Sequence, residues 1–411
     1  MSTIVIVGSG PAGAAAAITA RELGFGEVLL IDKSRFPRDK CCGDGLTPRA
    51  VGALGALGLR TWIGLQARQS RVDISVGSNE PAAIAWPRGN HPEFSAAIKR
   101  ADLDHALHER ALAVGAHEVT GRVVSVDTDR DGRVVAVVVR GEAGEQKVPC
   151  NRLIVADGSG SPVGAMLGRR WHRDEMYAVA SRSYVHMPEI DSDAMRIAIL
   201  PPTTPTDSMG YGWVFPIGYG WANVGYGEML SAKHWTAGSR MSARELHERY
   251  LDHLRLGGEV DTPEDFASAP LAIGGLAGPV AGPNWVAVGD AAGGIHPLTG
   301  EGVDFALETG CLAARVLAEG ISTDLTARWP ALLRTNYHNP YAAERFIVRT
   351  IARHPNVARR IVPHLISGGW RGQLVLASSA GLIEPGDTGL IASMYRTTGA
   401  IAGRRGVQAF A

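Results

Sequence analysis

Residues 2–7 form an apolar, β-branched run, and a second such run follows at 27–31. Unbroken apolar stretches of this length, rather than alternation, suit strands buried on both faces of a parallel sheet. Between them, 14–23 is alanine-rich and predicts a helix. Residues 94–114 predict another, with Leu103, Leu107, Ala111 and Val114 on one face. The runs 119–126 and 134–139 flank Asp131-Gly132 and predict a β-hairpin. Residues 152–156 read as a further buried strand. Strand-like patterning at 72–87 and the short strands and turns of 177–227 predict an antiparallel sheet. In it, 211–227 reads as two aromatic strands joined around Gly218–Gly220. An amphipathic helix is expected at 241–256, and a strand at 285–288 leads into a glycine-rich loop and a helix. From Leu312 onward the pattern is mainly helical, with breaks expected at Pro330, Pro340, Pro355 and Pro363.

Residues 33–49, KSRFPRDKCCGDGLTPR, fit no regular element, because Pro37, Gly43, Gly45 and Pro48 interrupt them. A helix is expected after Pro48, through Leu57. Long loops of this kind at the carboxyl edge of a doubly wound sheet usually face a ligand.

Length and composition narrow the picture. A chain of 411 residues suggests two interlocked domains with ample core. Lys plus Arg and Asp plus Glu each total 41, with no basic stripe, which argues against nucleic acid as a partner. Four cysteines are too few for a disulfide scaffold, so a reducing cytoplasm is the simplest expectation. No leader pattern precedes the first strand, and no apolar run approaches the ~20 residues of a membrane span. A soluble, globular protein is expected, with no metal site.

The chemistry starts at the first turn. Gly8, Gly10 and Gly13 follow the opening strand at G-x-G-x-x-G spacing, and the second strand ends on Asp32. Gly8 permits the tight turn, Gly10 lets backbone approach a pyrophosphate, and Gly13 brings helix close to strand. Phosphates would sit at the helix N-terminus, and Asp32 would accept from a ribose hydroxyl. NAD and FAD both fit this unit. Two more glycine-acid elements, Asp157-Gly158 and Gly289-Asp290, also follow short apolar strands. One alone reads as a β-turn. Three at strand ends suggest one extended ligand lying across a sheet edge.

With these motifs the chain resembles the FAD-dependent oxidoreductases that share the fold of para-hydroxybenzoate hydroxylase. The resemblance covers about the first 320 residues. It implies that Gly8, Gly10, Pro11, Ala12, Gly13, Asp32 and Lys33 hold the ADP half of FAD. It places Arg100 near the phosphates, Asp157 and Gly158 near the pyrophosphate, and Gly289 and Asp290 at the ribityl chain. Pro297, Gly300 and Gly302 belong to the loop before a helix whose N-terminus points at the flavin, where it would stabilise a reduced anion. The implied fold is α/β. A Rossmann-type FAD-binding domain (1–72, 95–175, 275–325) is interleaved with an antiparallel-sheet substrate domain (73–94, 176–274) and followed by a helical region (326–411).

FPRDKCCGDGLTPRAV is similar to a motif of the geranylgeranyl reductase family, as are the YGWVFP strand with its following N-V-G and the loop GIHPLTGEGV. Those enzymes saturate isolated double bonds of polyprenyl chains with reduced FAD. The resemblance puts Phe36, Lys40, Cys42, Gly43, Gly45, Tyr211, Trp213, Phe215 and Pro216 near the flavin or the substrate. Cys42, Tyr211, Trp213 and Phe215 are the candidate catalytic residues, and Cys42 and Gly43 also face the cofactor. Blander readings stand beside these. Cys42 also reads as a loop thiol, Cys41 as a passenger, and an adjacent redox pair would be geometrically strained. Tyr211, Trp213 and Phe215 share one strand face, as core packing or as the wall of an apolar pocket. His296 is expected to cap backbone, and Glu301 to orient its loop.

The implied partners are an apolar small molecule and an electron donor, NAD(P)H or a separate protein. The C-terminal helices are candidates to cover the substrate or touch a membrane surface. An FAD monooxygenase or a flavin halogenase would share the cofactor motifs, although the W-x-W-x-I-P segment of many halogenases is absent and GWVFP stands in its place. A non-catalytic flavin scaffold is the remaining class.

Overall fold

The computed structural model describes residues 3–77, 79–172, 176–200, 210–230, 241–255, 261–320, 324–366, 369–383, 387–403 and 409–410. Its organising layer is a six-stranded sheet in the order Ala281–Gly282, Trp285–Ala287, Arg152–Val155, Thr3–Val7, Glu27–Asp32, His117–Thr120. Every pairing but the first is parallel. Ile4, Val5, Ile6, Leu153, Ile154 and Val155 are fully buried, as their unbroken apolar runs require.

The helix Pro11–Glu22 lies between the helices Arg100–Ala113 and Val303–Ala318. Its buried face is alanine, which lets its neighbours approach closely. At Gly310 a methyl group would strike the Ala12 carbonyl, so glycine is required at that crossing.

The second layer is a seven-stranded sheet in the order Glu264–Leu271, Tyr177–His186, Trp221–Leu230, Gly210–Gly218, Ala194–Leu200, Arg71–Val76, Ala82–Ala85. The two aromatic strands pair around the Gly218–Gly220 turn as expected. One pair, Ala194–Leu200 with Arg71–Val76, is parallel rather than antiparallel, because the Arg71 strand arrives from the first domain instead of through a hairpin. Helices Leu325–Arg353, Pro355–Leu365, Trp370–Ser379 and Leu390–Gly403 complete the chain. Among the described residues no helix is long and apolar enough to cross a membrane.

Several local expectations are corrected. Residues 94–114 are not one helix: Ser95–Ala97 is a strand pairing with Gly45–Leu46 and Arg68–Gln69, and the helix starts at Arg100. Alanine fits both states, and the pairing partners lie too far away in sequence to register in a periodicity. His117–Thr120 leaves the hairpin for the parallel sheet, while Arg122–Thr128 and Val134–Gly141 form it together with a third strand, Gly144–Pro149. The helix opening at Pro48 regularly reaches only Leu54. A widened turn follows, with Gly58 at φ 88°, and then Arg60–Gly64. Pro330 and Pro340 lie inside Leu325–Arg353, and Pro363 inside Pro355–Leu365, so only Pro355 starts a new helix. The lost hydrogen bonds at Pro330 and Pro340 are outweighed by a buried face carrying Trp329, Leu333, Tyr337 and Tyr341.

Candidate active site

The three glycine-acid elements converge at the carboxyl edge of the six-stranded sheet. A methyl at Gly8 would collide with the Ala156 carbonyl, and one at Gly13 with the Gly8 carbonyl. The first turn is therefore pressed against Ala156 and Asp157, which follow the strand Arg152–Val155. A methyl at Gly289, where φ is 57°, would come within 2.9 Å of Ala12 Cβ, so the third element packs on the first helix. Ser159 Oγ donates to Asp290 at 3.3 Å, and the Arg169 guanidinium bonds both the Ala291 carbonyl (2.5 Å) and the Ser159 carbonyl (3.1 Å). Pro11, Ala12 and Gly13 are buried in the first turn of their helix.

Asp32 is buried and accepts from the Ser9 amide at 2.8 Å and the Ser34 amide at 2.9 Å. Each oxygen keeps a further lone pair for a hydroxyl. Lys33 beside it is exposed. Asp157 is turned inward, accepting from Ser161 Oγ at 2.6 Å and the Val163 amide at 2.8 Å, so it holds the next short helix. Gly158, at φ 84°, has open space where a side chain would stand.

The 33–49 loop crosses from this edge to the second sheet. Lys40 Nζ lies 2.9 Å from Asp290 Oδ2. Farther on, a methyl at Gly43 would lie 3.2 Å from Trp213 Nε1, and one at Gly45 2.9 Å from Phe215 Cε2. The two glycines thus lay backbone flat on the aromatic stripe. Tyr211, Trp213 and Phe215 share one strand face, with ring centroids 5.7 Å and 6.3 Å apart in succession. Tyr211 donates its hydroxyl to the Thr299 carbonyl, which ties the stripe to the 296–302 loop. Pro297 is buried, Gly300 turns at φ 72°, and Gly302 is the N-cap of the helix Val303–Ala318, in whose first turn the Phe305 amide donates to Asp304 at 2.6 Å. Phe36 stacks on His108 at 4.3 Å, next to Ser9 of the glycine turn, whose Oγ shares a 2.7 Å hydrogen bond with His108 Nδ1.

Comparison with known proteins decides what this groove serves. Residues 1–258 match the family model described as FAD binding domain. A menaquinone reductase of Mycolicibacterium smegmatis is 38% identical over 98% of this chain and 97% of its own. Digeranylgeranylglycerophospholipid reductase 1 of Methanopyrus kandleri is 30% identical over 79% of this chain and 82% of its own. A solved geranylgeranyl bacteriochlorophyll reductase-like structure from Thermoplasma acidophilum superposes with a TM-score of 0.78 at 22% identity, covering 97% of this chain and 100% of that one. The chain belongs to the FAD-dependent oxidoreductases of the geranylgeranyl reductase type.

The residues present fit FAD. The first-turn amides of Pro11–Glu22 have no side-chain cap, which leaves donors for a phosphate. A methyl at Gly10 would stand 3.5 Å from Arg38 Nη2 and 3.9 Å from Arg100 Nη2, so two guanidiniums overlook the same turn. Arg100 is buried and makes paired bonds of 2.8 Å and 2.7 Å to Asp104, which Arg38 also reaches at 2.9 Å. Burial works against the Arg100 charge, yet Asp104, with Cys42 in reach, raises its pKa well above the ordinary value. At Asp290 burial disfavours the charge, but Lys40 and then Arg100 hold the carboxyl below its usual range.

In this reductase-type site the cysteine loop is held by residues that sequence reading passed over. Asn223 accepts from Trp213 Nε1 at 2.9 Å and donates to the Cys42 carbonyl at 2.9 Å and to Asp44 at 2.8 Å. Asp44, fully buried at φ 62°, also accepts from Tyr184 Oη at 2.8 Å and the Arg100 amide at 3.2 Å. Burial pushes its carboxyl up to about 6 against those donors. Asn223 does stand in the N-V-G signal, and Asp44 inside the C-C-G-D-G motif, but no spacing rule joins positions so distant. Burial likewise raises the Cys42 and Tyr211 pKa values, so both stay protonated at neutral pH. Cys41 is raised to about 11, and all four cysteines are free thiols.

His296 does not cap backbone as expected. Its ring lies between Glu344 (3.2 Å) and Asp304 (3.6 Å), two buried carboxylates whose attraction exceeds the cost of burying the charged ring. Glu301, beside Asp304, is pushed up to about 8 by burial and by that neighbouring charge.

Proposed function

We propose that this FAD-dependent reductase saturates carbon–carbon double bonds in the isoprenoid chain of a lipid, with the prenyl tail of menaquinone as its substrate. The observation that carries the reading is the apolar seam running outward from the cysteine loop. Phe215, against Gly45, continues through Met195, Ile197 and Ile199 to the inner faces of the Pro355–Leu365 and Trp370–Ser379 helices, where Val362, Ile366, Val375 and Leu376 pack. This packed cluster borders the cysteine loop with apolar side chains alone, a surface suited to a long apolar chain rather than to a small polar aromatic. The full-length similarity to a menaquinone reductase supports the choice of lipid.

When bound and reduced, FAD supplies the hydride. Gly8, Gly10, Gly13, Asp32, Arg100, Gly158, Gly289 and Asp290 would hold it, with the cysteine loop and the 296–302 loop at its reactive end. Trp213 and Phe215 exclude water and position the alkene, which matters because an isolated double bond is a poor hydride acceptor. Cys42 holds a proton at Sγ for the second alkene carbon, so hydride and proton together add two hydrogens.

The test is anaerobic turnover of the FAD-loaded enzyme, with NADH, NADPH or dithionite as reductant and menaquinone as substrate, followed by mass spectrometry after air exposure. A product that keeps two added hydrogens after its ring has reoxidised supports tail saturation. A mass gain that reverses in air means that only the quinone ring was reduced. Oxygen insertion on admitting air would replace the reading with a monooxygenase.

A further inference from the structure

Residues 345–383 contain six arginines and no aspartate or glutamate, although basic and acidic residues each total 41 over the whole chain. This acid-free stretch includes the helices Pro355–Leu365 and Trp370–Ser379, which pack on the outer part of the substrate sheet. Val362 and Ile366 face inward, in contact with the cluster around Ile74 and Trp86. The opposite face should be polar in a helix that meets only water. It is not. Ile361 is 49% exposed and Leu365 51%, one turn apart, and Trp370 is 70% exposed just beyond them. Arg360, His364 and Arg371 are exposed among these apolar groups, and the Arg371 guanidinium sits 5.5 Å from the Trp370 ring.

Apolar side chains in a solvent-facing row, interleaved with cationic groups and free of acids, match the interfacial pattern of helices that lie in a bilayer surface. Tryptophan prefers the headgroup level, and arginine beside it favours anionic lipid. The covering partner is therefore lipid rather than another protein surface, which would have to supply both an apolar patch and acidic groups in register.

We propose that the face formed by Arg360, Ile361, His364, Leu365, Trp370 and Arg371 docks this enzyme on an anionic phospholipid bilayer. The inner side of the same helices closes the apolar seam, so a lipid-borne substrate would pass from bilayer to flavin without crossing water. This deepens the isoprenoid reading, but the docking itself requires no substrate.

The experiment is co-sedimentation of the FAD-loaded full chain with substrate-free vesicles, either pure phosphatidylcholine or equal parts phosphatidylcholine and phosphatidylglycerol. Binding to the anionic vesicles is expected, weakening with salt, and pure phosphatidylcholine should bind at least about tenfold more weakly. The variant I361D/L365D/W370A should lose at least about tenfold in partitioning while keeping its flavin content and thermal midpoint. A second variant, R360E/R371E, should lose anionic binding without any change to the apolar row. Unchanged partitioning in both variants would overturn the proposal. So would a dimer that both variants dissociate, with no vesicle binding by the parent chain. Vesicle binding with no tail reduction would sink only the substrate assignment, and tail reduction with no vesicle binding only the docking face.

Discussion

Asn223 Nδ2 lies 2.8 Å from Asp44 Oδ2, joining the second strand of the aromatic pair to the centre of the cysteine loop. The same amide holds the Cys42 carbonyl, and its oxygen takes the Trp213 indole N–H. One side chain therefore sets the distance between the thiol and the aromatic wall.

Replacing Asn223 with Leu takes its hydrogen bonds from an indole N–H, a carbonyl and a carboxylate that keeps only Tyr184 and the Arg100 amide. A cost of about 2–3 kcal/mol in unfolding free energy is expected, together with lower turnover. Urea denaturation of the FAD-loaded protein measures the first; a variant as stable as the parent would remove Asn223 from this role.

Cys42→Ala is expected to keep its flavin, because the groups that would hold the ribose and phosphates, Gly8, Gly10, Gly13, Asp32 and Arg100, are left in place. Loss of a positioned proton donor should slow double-bond reduction about 100-fold. Flavin absorbance per mole of protein and single-turnover rates separate the two effects. Full activity in the variant would assign the proton to another group.

Lys40 is partly exposed, so its pair with Asp290 is worth less than a buried one. Lys40→Met should weaken FAD binding about threefold to tenfold, measured by titrating the apoprotein. Asp290→Asn should do no worse, since it removes the charge that Lys40 answers.

His296 governs the alkaline limit of stability. Burial opposes its charge, but Glu344 and Asp304 raise its pKa from 6.5 to about 10. The folded state then holds its proton more tightly than the unfolded chain does. The stabilisation is complete below pH 6.5 and is lost as pH rises through about 10, amounting to roughly 2–4 kcal/mol. Urea midpoints across that range should fall for the parent chain. His296→Gln should be weaker at pH 7 and lack that descent; an equal slope in both would discard the assignment.

The cofactor half of the molecule was legible because its signals are local. Gly8, Gly10, Gly13 and Asp32 sit within one strand-turn-helix-strand unit, where each residue's task follows from backbone geometry. The aromatic stripe was legible for the same reason, as alternation on one strand. Asp44, Asn223 and Tyr184 meet only through the tertiary fold, and nothing near any of them in sequence announces the others. The Ser95–Ala97 strand escaped because its partners lie fifty residues upstream and in another segment. His296 was misread because Glu344, its principal partner, belongs to a helix whose packing no periodicity reveals.

The order of the six-stranded sheet bears on how the molecule comes into being. Its neighbours Thr3–Val7, Arg152–Val155 and Trp285–Ala287 are drawn from the beginning, middle and late parts of the chain. On the ribosome the opening glycine turn emerges early, but it has no finished edge to serve until the strand ending at Ala287 and the helix beginning at Val303 have followed. Such long-range pairing makes for slow assembly. FAD capture therefore comes late, and an excised N-terminal fragment ending at Pro149 would lack the central strand partner of Thr3–Val7.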